Sequence, residues 1–288
     1  LSEQPILLNG KKLASELYVS MQSRCEHLSA KAGRSPRLDV VLVGDDPASK
    51  VYVGHKERIC KKIGIESYVH RLPAAVTQEE AQNKIRDLAE DQNVDGILLQ
   101  LPVPKHLDSA ELIDCIPPEK DVDGLSTLSQ GRLAKQEPGM RPCTPKGILA
   151  LLQQHGIGIS GKRICVLGRS LLVGASVARM FEHLKATVIT FDSAEKEPKT
   201  IAKLADIVVV ATGCKNLVDA SWLKPGAVVV DVGIHRAENG LCGDVNFSDV
   251  CKTVSAITPV PGGVGPMTVA MLMENCLDSF EQRTLKLA

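Results

Sequence analysis

Apolar residues along the chain fall into short runs separated by longer amphipathic stretches. Residues 38–43 (LDVVLV) are rich in β-branched side chains and end at Gly44, which predicts a buried strand. Residues 49–63 predict a helix, with Ser49 as its N-cap and Gly64 as its stop. Residues 65–71 predict a second strand. Residues 77–91 are polar and amphipathic, and Thr77 with Glu80 has the spacing of a capping box. Residues 96–100 (GILLQ) predict a further buried strand. It must stop at Leu101-Pro102-Val103-Pro104, because proline cannot donate to a sheet ladder.

A second series follows Arg141-Pro142-Cys143-Thr144-Pro145. Residues 146–155 predict a helix and residues 163–167 (RICVL) a strand. A glycine-bearing loop over 168–174 then leads into a helix reaching about Leu184. Residues 186–191, 207–211 and 227–232 are apolar strands, and a last helix from about 265 to 283 follows a loop dense in proline and glycine. Alternating strands and helices predict an α/β chain with a parallel sheet and right-handed crossovers. A boundary near 142–145 separates an N-terminal α/β domain from a Rossmann-like domain.

Composition narrows the function classes. The 288 residues carry no net formal charge, and aromatics make up 3% of them. Neither a basic groove nor stacking rings are visible, so no nucleic-acid partner is expected. No apolar run is long enough to span a bilayer, and no membrane partner is expected. The nine cysteines form no CxxC, and no histidines accompany them at zinc spacing. Reduced thiols and no metal are the expectation. The first residues lack the layout of a secretory leader, and a cytoplasmic protein is expected.

Gly168-Arg169-Ser170-Leu171-Leu172-Val173-Gly174 sits between a strand and a helix, where backbone N–H groups can meet phosphate. Its spacing is GxSxxxG, not GxGxxG, so a plain tight turn stays equally open. Arg169 could pair with a 2′-phosphate. Asp192, just past the next strand, would instead accept from a ribose 2′-OH, and Ser193 beside it could donate to either. Arg169 and Asp192 could also simply pair with each other. Tyr52 and Lys56 share a helix face, where a desolvated lysine could move protons, or where both could be solvated. Gln100 ends a strand on the side where open α/β sheets bind ligands. Asp121-Val122-Asp123-Gly124 is either an Asx turn or a carboxylate able to read a planar donor array. The loop over 259–268 (PVPGGVGPMT) combines rigidity with freedom for close backbone approach to something flat.

These segments resemble the bifunctional methylenetetrahydrofolate dehydrogenase/methenyltetrahydrofolate cyclohydrolase family. The matching blocks are VGDDPASKVYVGHK (43–56), DGILLQLPVP (95–104), PEKDVDG (118–124), RPCTPKG (141–147), VLGRSLLVG (166–174), VVVDVGI (228–234), GDV (243–245) and TPVPGGVGPMTVAML (258–272). They run in the family's order over nearly the whole chain.

The resemblance implies two domains around a cleft. Residues 1–144, completed by a C-terminal helix over 267–288, would form a folate-binding catalytic domain. Residues 145–266 would form a Rossmann-like NAD(P)-binding domain, through which the chain would form a homodimer. Lys56 would be the main catalytic residue, with Tyr52 and Gln100 beside it. Asp123 would hold the pterin, and Ser49, Leu101, Pro261, Gly262 and Val269 would line the site for tetrahydrofolate derivatives. Thr144, Gly168, Arg169, Ser170, Ser193, Thr212, Ile234 and Thr268 would contact the dinucleotide. NADP is the implied cofactor. NAD stays open because many relatives carry a non-acidic residue where this chain has Asp192. The implied activity is oxidation of 5,10-methylenetetrahydrofolate followed by hydrolysis to 10-formyltetrahydrofolate. A monofunctional dehydrogenase and a non-catalytic nucleotide-sensing module are the rival readings. An altered lysine constellation would favour the first, and a missing lysine or broken PGGVGP loop the second; neither is present.

Overall fold

The structure, a computed structural model, describes residues 4–237 and 240–284. In chain order the elements are β1 (Ile6–Leu7), α1 (Gly10–Ala32), β2 (Arg37–Val43), α2 (Pro47–Ile63), β3 (Glu66–Leu72), α3 (Gln78–Glu90), β4 (Gly96–Gln100), α4 (Ser109–Asp114), α5 (Thr127–Ala134) and α6 (Cys143–Gln154). There follow β5 (Arg163–Leu167), α7 (Ser176–His183), β6 (Thr187–Phe191), α8 (Pro198–Ala202), β7 (Ile207–Val210), β8 (Val228–Asp231), β9 (His235–Ala237), β10 (Gly240–Cys242), α9 (Phe247–Val250), β11 (Ala256–Ile257) and α10 (Val264–Thr284).

The chain divides into two units, one formed by residues up to Ala14 with Thr144–Thr268, the other by Ser15–Cys143 with residues from Val269 onward. In the second of these, a parallel sheet has the order β3–β2–β4. β2 is central, and Leu38 through Val43 are all buried, as a strand covered on both faces requires. The exception in chemistry is Asp39, fully buried within that run. Its carboxylate accepts from Arg37 at 2.7 and 2.8 Å and pairs with His70 Nε2 at 2.7 Å, which makes the burial tolerable.

The other unit holds a six-stranded parallel sheet in the order β1–β11–β8–β7–β5–β6. Its central strands are almost wholly β-branched: β7 reads IVVV and β8 VVVD, with every residue buried. Cys165, Leu167, Val208, Val210 and Val229 pack one face against Trp222, Val250 and Val254.

Three expectations are corrected. Residues 1–144 do not stay together: β1 pairs with β11 (Ile6 with Ala256, Leu7 with Ile257), and Lys11 N donates to Gly262 O at 2.8 Å. The first fourteen residues therefore belong with the dinucleotide-type sheet. The last helix begins at Val264, and residues 285–288 of its expected span lie outside the described residues. Ser49 is not the cap of α2. Asp46 is, its carboxylate accepting from Ser49 N at 2.7 Å, with Pro47 at the first helical position. Aspartate before proline is the stronger start signal, because proline's fixed φ suits that position and it has no N–H to satisfy.

Candidate active site

In the unit built on β3–β2–β4, α2 presents Ser49, Tyr52 and Lys56 at spacings of three and four, so they follow one face. Lys56 Nζ donates to Gln100 Oε1 at 2.8 Å. Gln100 sits at the carboxyl end of β4, and its Nε2 donates to Leu101 O at 2.7 Å, which fixes the amide's orientation. Burial holds the Lys56 ammonium below the ordinary lysine range, while the nearby Asp123 carboxylate pulls it partly back. Asp123 is pushed up by its own burial, and Lys56 opposes that shift. Ser49 is 2% exposed, and its hydroxyl has no partner among the described residues. Tyr52 stays exposed.

The Asp121–Gly124 turn divides its two acids between two tasks. Asp121 is buried and accepts from the backbone N–H groups of Gly124, Leu125 and Ser126 at 2.8–3.3 Å. It does the Asx-turn work and leaves Asp123 free for other chemistry. α10 fixes the segment from behind: Asn275 Nδ2 donates to Val122 O at 2.8 Å and to Arg141 O at 3.0 Å. Leu101 and Val269, the other candidates in this unit, are half-buried and buried respectively.

In the other unit, the ends of β5, β6 and β7 surround a cavity of about 500 Å³ lined by Gly168, Arg169, Ser170, Asp192, Ser193 and Thr212 among others. Glycine is required in the loop. Gly168 has φ of 109°, and a Cβ there would overlie Ala211 O, while one on Gly174 would overlie Gly168 O. The chain then makes one π-helical turn over Leu171–Ala175 before α7 begins, a local widening that sequence periodicity does not reveal. Arg169 Nη1 lies 3.6 Å from Asp192 Oδ2, and both side chains are about half exposed. Asp192 Oδ1 also accepts from Ala194 N at 3.0 Å.

Thr144, Ile234 and Thr268 lie outside the walls of this cavity. Thr144 Oγ1 and Thr268 Oγ1 are 2.9 Å apart, and Ile234 is exposed. Pro261 and Gly262 fall in the same unit as these residues, not in the unit of Lys56. The glycines of the PGGVG loop serve the fold as well: a Cβ on Gly10 would overlie Gly263 O, and one on Gly263 would press on Thr258 and Pro259. The close backbone approach expected for a flat ligand is, at Gly263, an approach to the chain itself. Among the described residues no helix could cross a membrane and no His/Cys/Asp/Glu cluster could hold a metal.

Sequence reasoning assigned no role to Asp231, Asp244 or His235, although all three lie in or beside quoted blocks. Their signal is the pair of glycines at 233 and 243, each placed so that a Cβ would collide with one of the two carboxylates.

The chain matches known proteins in both sequence and fold. Residues 8–123 match the catalytic domain of tetrahydrofolate dehydrogenase/cyclohydrolase, and residues 142–284 match its NAD(P)-binding domain. The chain is 50% identical over 277 residues to a bifunctional protein FolD of Synechococcus sp. (strain WH7803), covering 96% of this chain and 94% of the relative. The FolD dehydrogenase/cyclohydrolase structure from Campylobacter jejuni superposes with a TM-score of 0.94 at 41% identity, covering 96% and 99% of the two chains. The Trypanosoma brucei enzyme, solved with NADP and an inhibitor, superposes at 0.92 with 34% identity, covering 97% and 98%. The chain belongs to the tetrahydrofolate dehydrogenase/cyclohydrolase family.

Proposed function

We propose that this chain oxidises 5,10-methylenetetrahydrofolate to 5,10-methenyltetrahydrofolate with NADP and hydrolyses the product to 10-formyltetrahydrofolate. The observation that carries the reading is the half-buried Lys56 amine held 2.8 Å from Gln100 Oε1.

The dinucleotide cavity fits NADP. Gly168, Arg169 and Ser170 of the loop line the cavity where a pyrophosphate would meet backbone N–H groups, and Arg169 and Ser193 offer donors for a 2′-phosphate. NADP, when bound, accepts the hydride that leaves the bridging methylene carbon. The chain's contribution to that step is orientation of the folate. Ser49 supports such a role, since its buried hydroxyl needs a partner that the described residues do not supply. Asp123, freed from turn duty, accepts from the pterin's planar donors.

The second step needs a proton acceptor. Water attacks the methenyl carbon, and the neutral Lys56 amine takes its proton. The hydroxyl on the tetrahedral carbon then gives up its proton as the bond to N5 breaks, N5 takes up a proton, and the formyl group stays on N10. Gln100 accepts from Lys56 and so aims the remaining amine geometry, while Tyr52 lies one turn away on the same face. Desolvation keeps more of the amine neutral near pH 7 than an ordinary lysine would.

The homodimer through the dinucleotide-binding domains remains part of this proposal, as does residence in the cytoplasm; nine cysteines with no disulfide among them support a reducing compartment.

Lys56→Met tests the assignment. Cyclohydrolase turnover should fall by about a hundredfold or more, with NADP affinity within about twofold of the parent because Lys56 lies in the other unit. Equal loss of NADP affinity would contradict the role.

A further inference from the structure

The ends of four neighbouring strands form a track across the dinucleotide-type sheet. In the order β6–β5–β7–β8 they lead to Asp192, the glycine loop, Thr212 and Ile234. Ligands of open α/β sheets lie along such carboxyl ends. The half of the track beyond β7 is held from beneath by two buried carboxylates.

Asp231 ends β8 and is 4% exposed. It accepts from Gly233 N, Asp244 N and Val245 N, each at 3.0 Å. Asp231 N donates in turn to Thr258 Oγ1 at 2.7 Å. The 244–245 backbone is thereby fastened to the end of β8. Asp244 itself is fully buried. Its Oδ2 accepts from Thr212 N at 2.6 Å, Thr212 Oγ1 at 2.9 Å and Gly213 N at 2.9 Å. Its Oδ1 lies 2.6 Å from His235 Nε2. An ionised carboxylate has no proton to give, so the imidazole donates.

One side chain thus binds the loop after β7 to the first residue of β9, next to the loop that carries Ile234. The arrangement is built for it. A Cβ on Gly233 would overlie Asp244 Oδ1, and a Cβ on Gly243 would overlie Asp231 Oδ2. Asp244 is not among the residues lining the cavity, whereas Thr212 is.

We propose that Asp244 and His235 are positioning residues for the dinucleotide: they set the spacing between the Thr212 and Ile234 loops and so select NADP binding and the dehydrogenase step, leaving the cyclohydrolase step untouched. The proposal rests on the family reading above for the identity of the dinucleotide. It adds a carboxylate–imidazole clasp that neither touches the ligand nor takes part in the chemistry. Charge-assisted hydrogen bonds of this kind hold a loop more firmly than neutral ones.

The test separates the two activities. Asp244→Asn turns one of the two acceptor oxygens into a donor facing donors, and His235→Ala removes one donor. Each should raise the KM for NADP by about tenfold or more. Hydrolysis of 5,10-methenyltetrahydrofolate, assayed without dinucleotide, should stay within about twofold. His235→Gln keeps an N–H donor and should recover most of the loss. Trp222, the single tryptophan, lines the same cavity, so its fluorescence reports NADP binding directly. If the parent binds NADP but lacks both activities, the proposed function fails while this titration still decides the clasp. Equal losses in both activities, or unchanged NADP affinity in His235→Ala, would overturn it. If Asp244→Asn does not fold, the comparison of His235→Ala with His235→Gln decides alone.

Discussion

At the scale of single residues, Asp192 bears on which dinucleotide the cavity takes. Its carboxylate lines that cavity, and Arg169 lies 3.6 Å away. Two roughly half-exposed charges at that distance interact weakly, so Arg169 can exchange Asp192 for a phosphate at small cost. Removing the acid should favour NADP. Asp192→Ser is expected to raise the NADP-to-NAD ratio of kcat/KM by about fivefold, and an unchanged ratio would place Asp192 away from the phosphate. Local spacing made some of the site legible. Ser49, Tyr52 and Lys56 share a face because helix geometry dictates it. Local spacing did not show the Lys56–Gln100 bond, which joins residues 44 apart along the chain; only the resemblance put the two side by side. Nor could pattern alone divide Asp121 from Asp123; that needed the three backbone donors gathered by Asp121.

At the scale of elements, the central strands of both parallel sheets were evident because burial on both faces leaves continuous β-branched runs. The two strands at one side of the six-stranded sheet were not. β1 and β11 are two residues each and carry no period of their own. The 23-residue helix α1 is also absent from the sequence expectation. Its buried face is Leu13, Ala14, Tyr18, Met21, Cys25 and Leu28, which keeps helical spacing.

Lys120, in the segment that carries Asp123, shows what pattern reading omits. Its buried ammonium donates to the carbonyls of Leu88, Ala89 and Asp91 at 2.6–3.4 Å, where α3 ends without a partner for them. Burial, with Arg283 second, pushes its pKa down to about 8 from 10.5. Between those values the unfolded chain binds the extra proton, so this group makes stability rise with pH across that window and lowers it as pH falls through about 8. Lys120→Met should flatten the rise in denaturant-unfolding free energy between about pH 8 and 10. An identical slope in the variant would show that Lys120 titrates as it does unfolded. The same variant should lose about 1–3 kcal/mol near pH 7, because carbonyls at the end of α3 are left unpaired.

At the scale of the whole molecule, the chain does not pass from one unit to the next once. It begins in the six-stranded sheet, leaves at Ala14, returns at Thr144 and crosses again within α10. The boundary near residue 144 was visible as a proline-rich stretch. The crossing near Ala14 was not, because it lies inside a continuous helix and is set by the pairing of Ile6 and Leu7 with Ala256 and Ile257. The consequence is chemical: the lysine constellation belongs to one unit and the glycine loop with its carboxylate clasp to the other. Hydrolysis and dinucleotide binding should therefore be separable by mutation, as the Lys56 and Asp244 variants test from opposite sides.

The central claim, that one chain performs both reactions, is tested most directly by a spectrophotometric assay of the purified protein with 5,10-methylenetetrahydrofolate and NADP, following reduced nicotinamide and methenyl hydrolysis in parallel. Turnover in both channels, with NADP preferred to NAD, is the expected result. Reduced nicotinamide without methenyl hydrolysis would contradict the role given to Lys56, and silence in both channels from folded protein would contradict the activity itself.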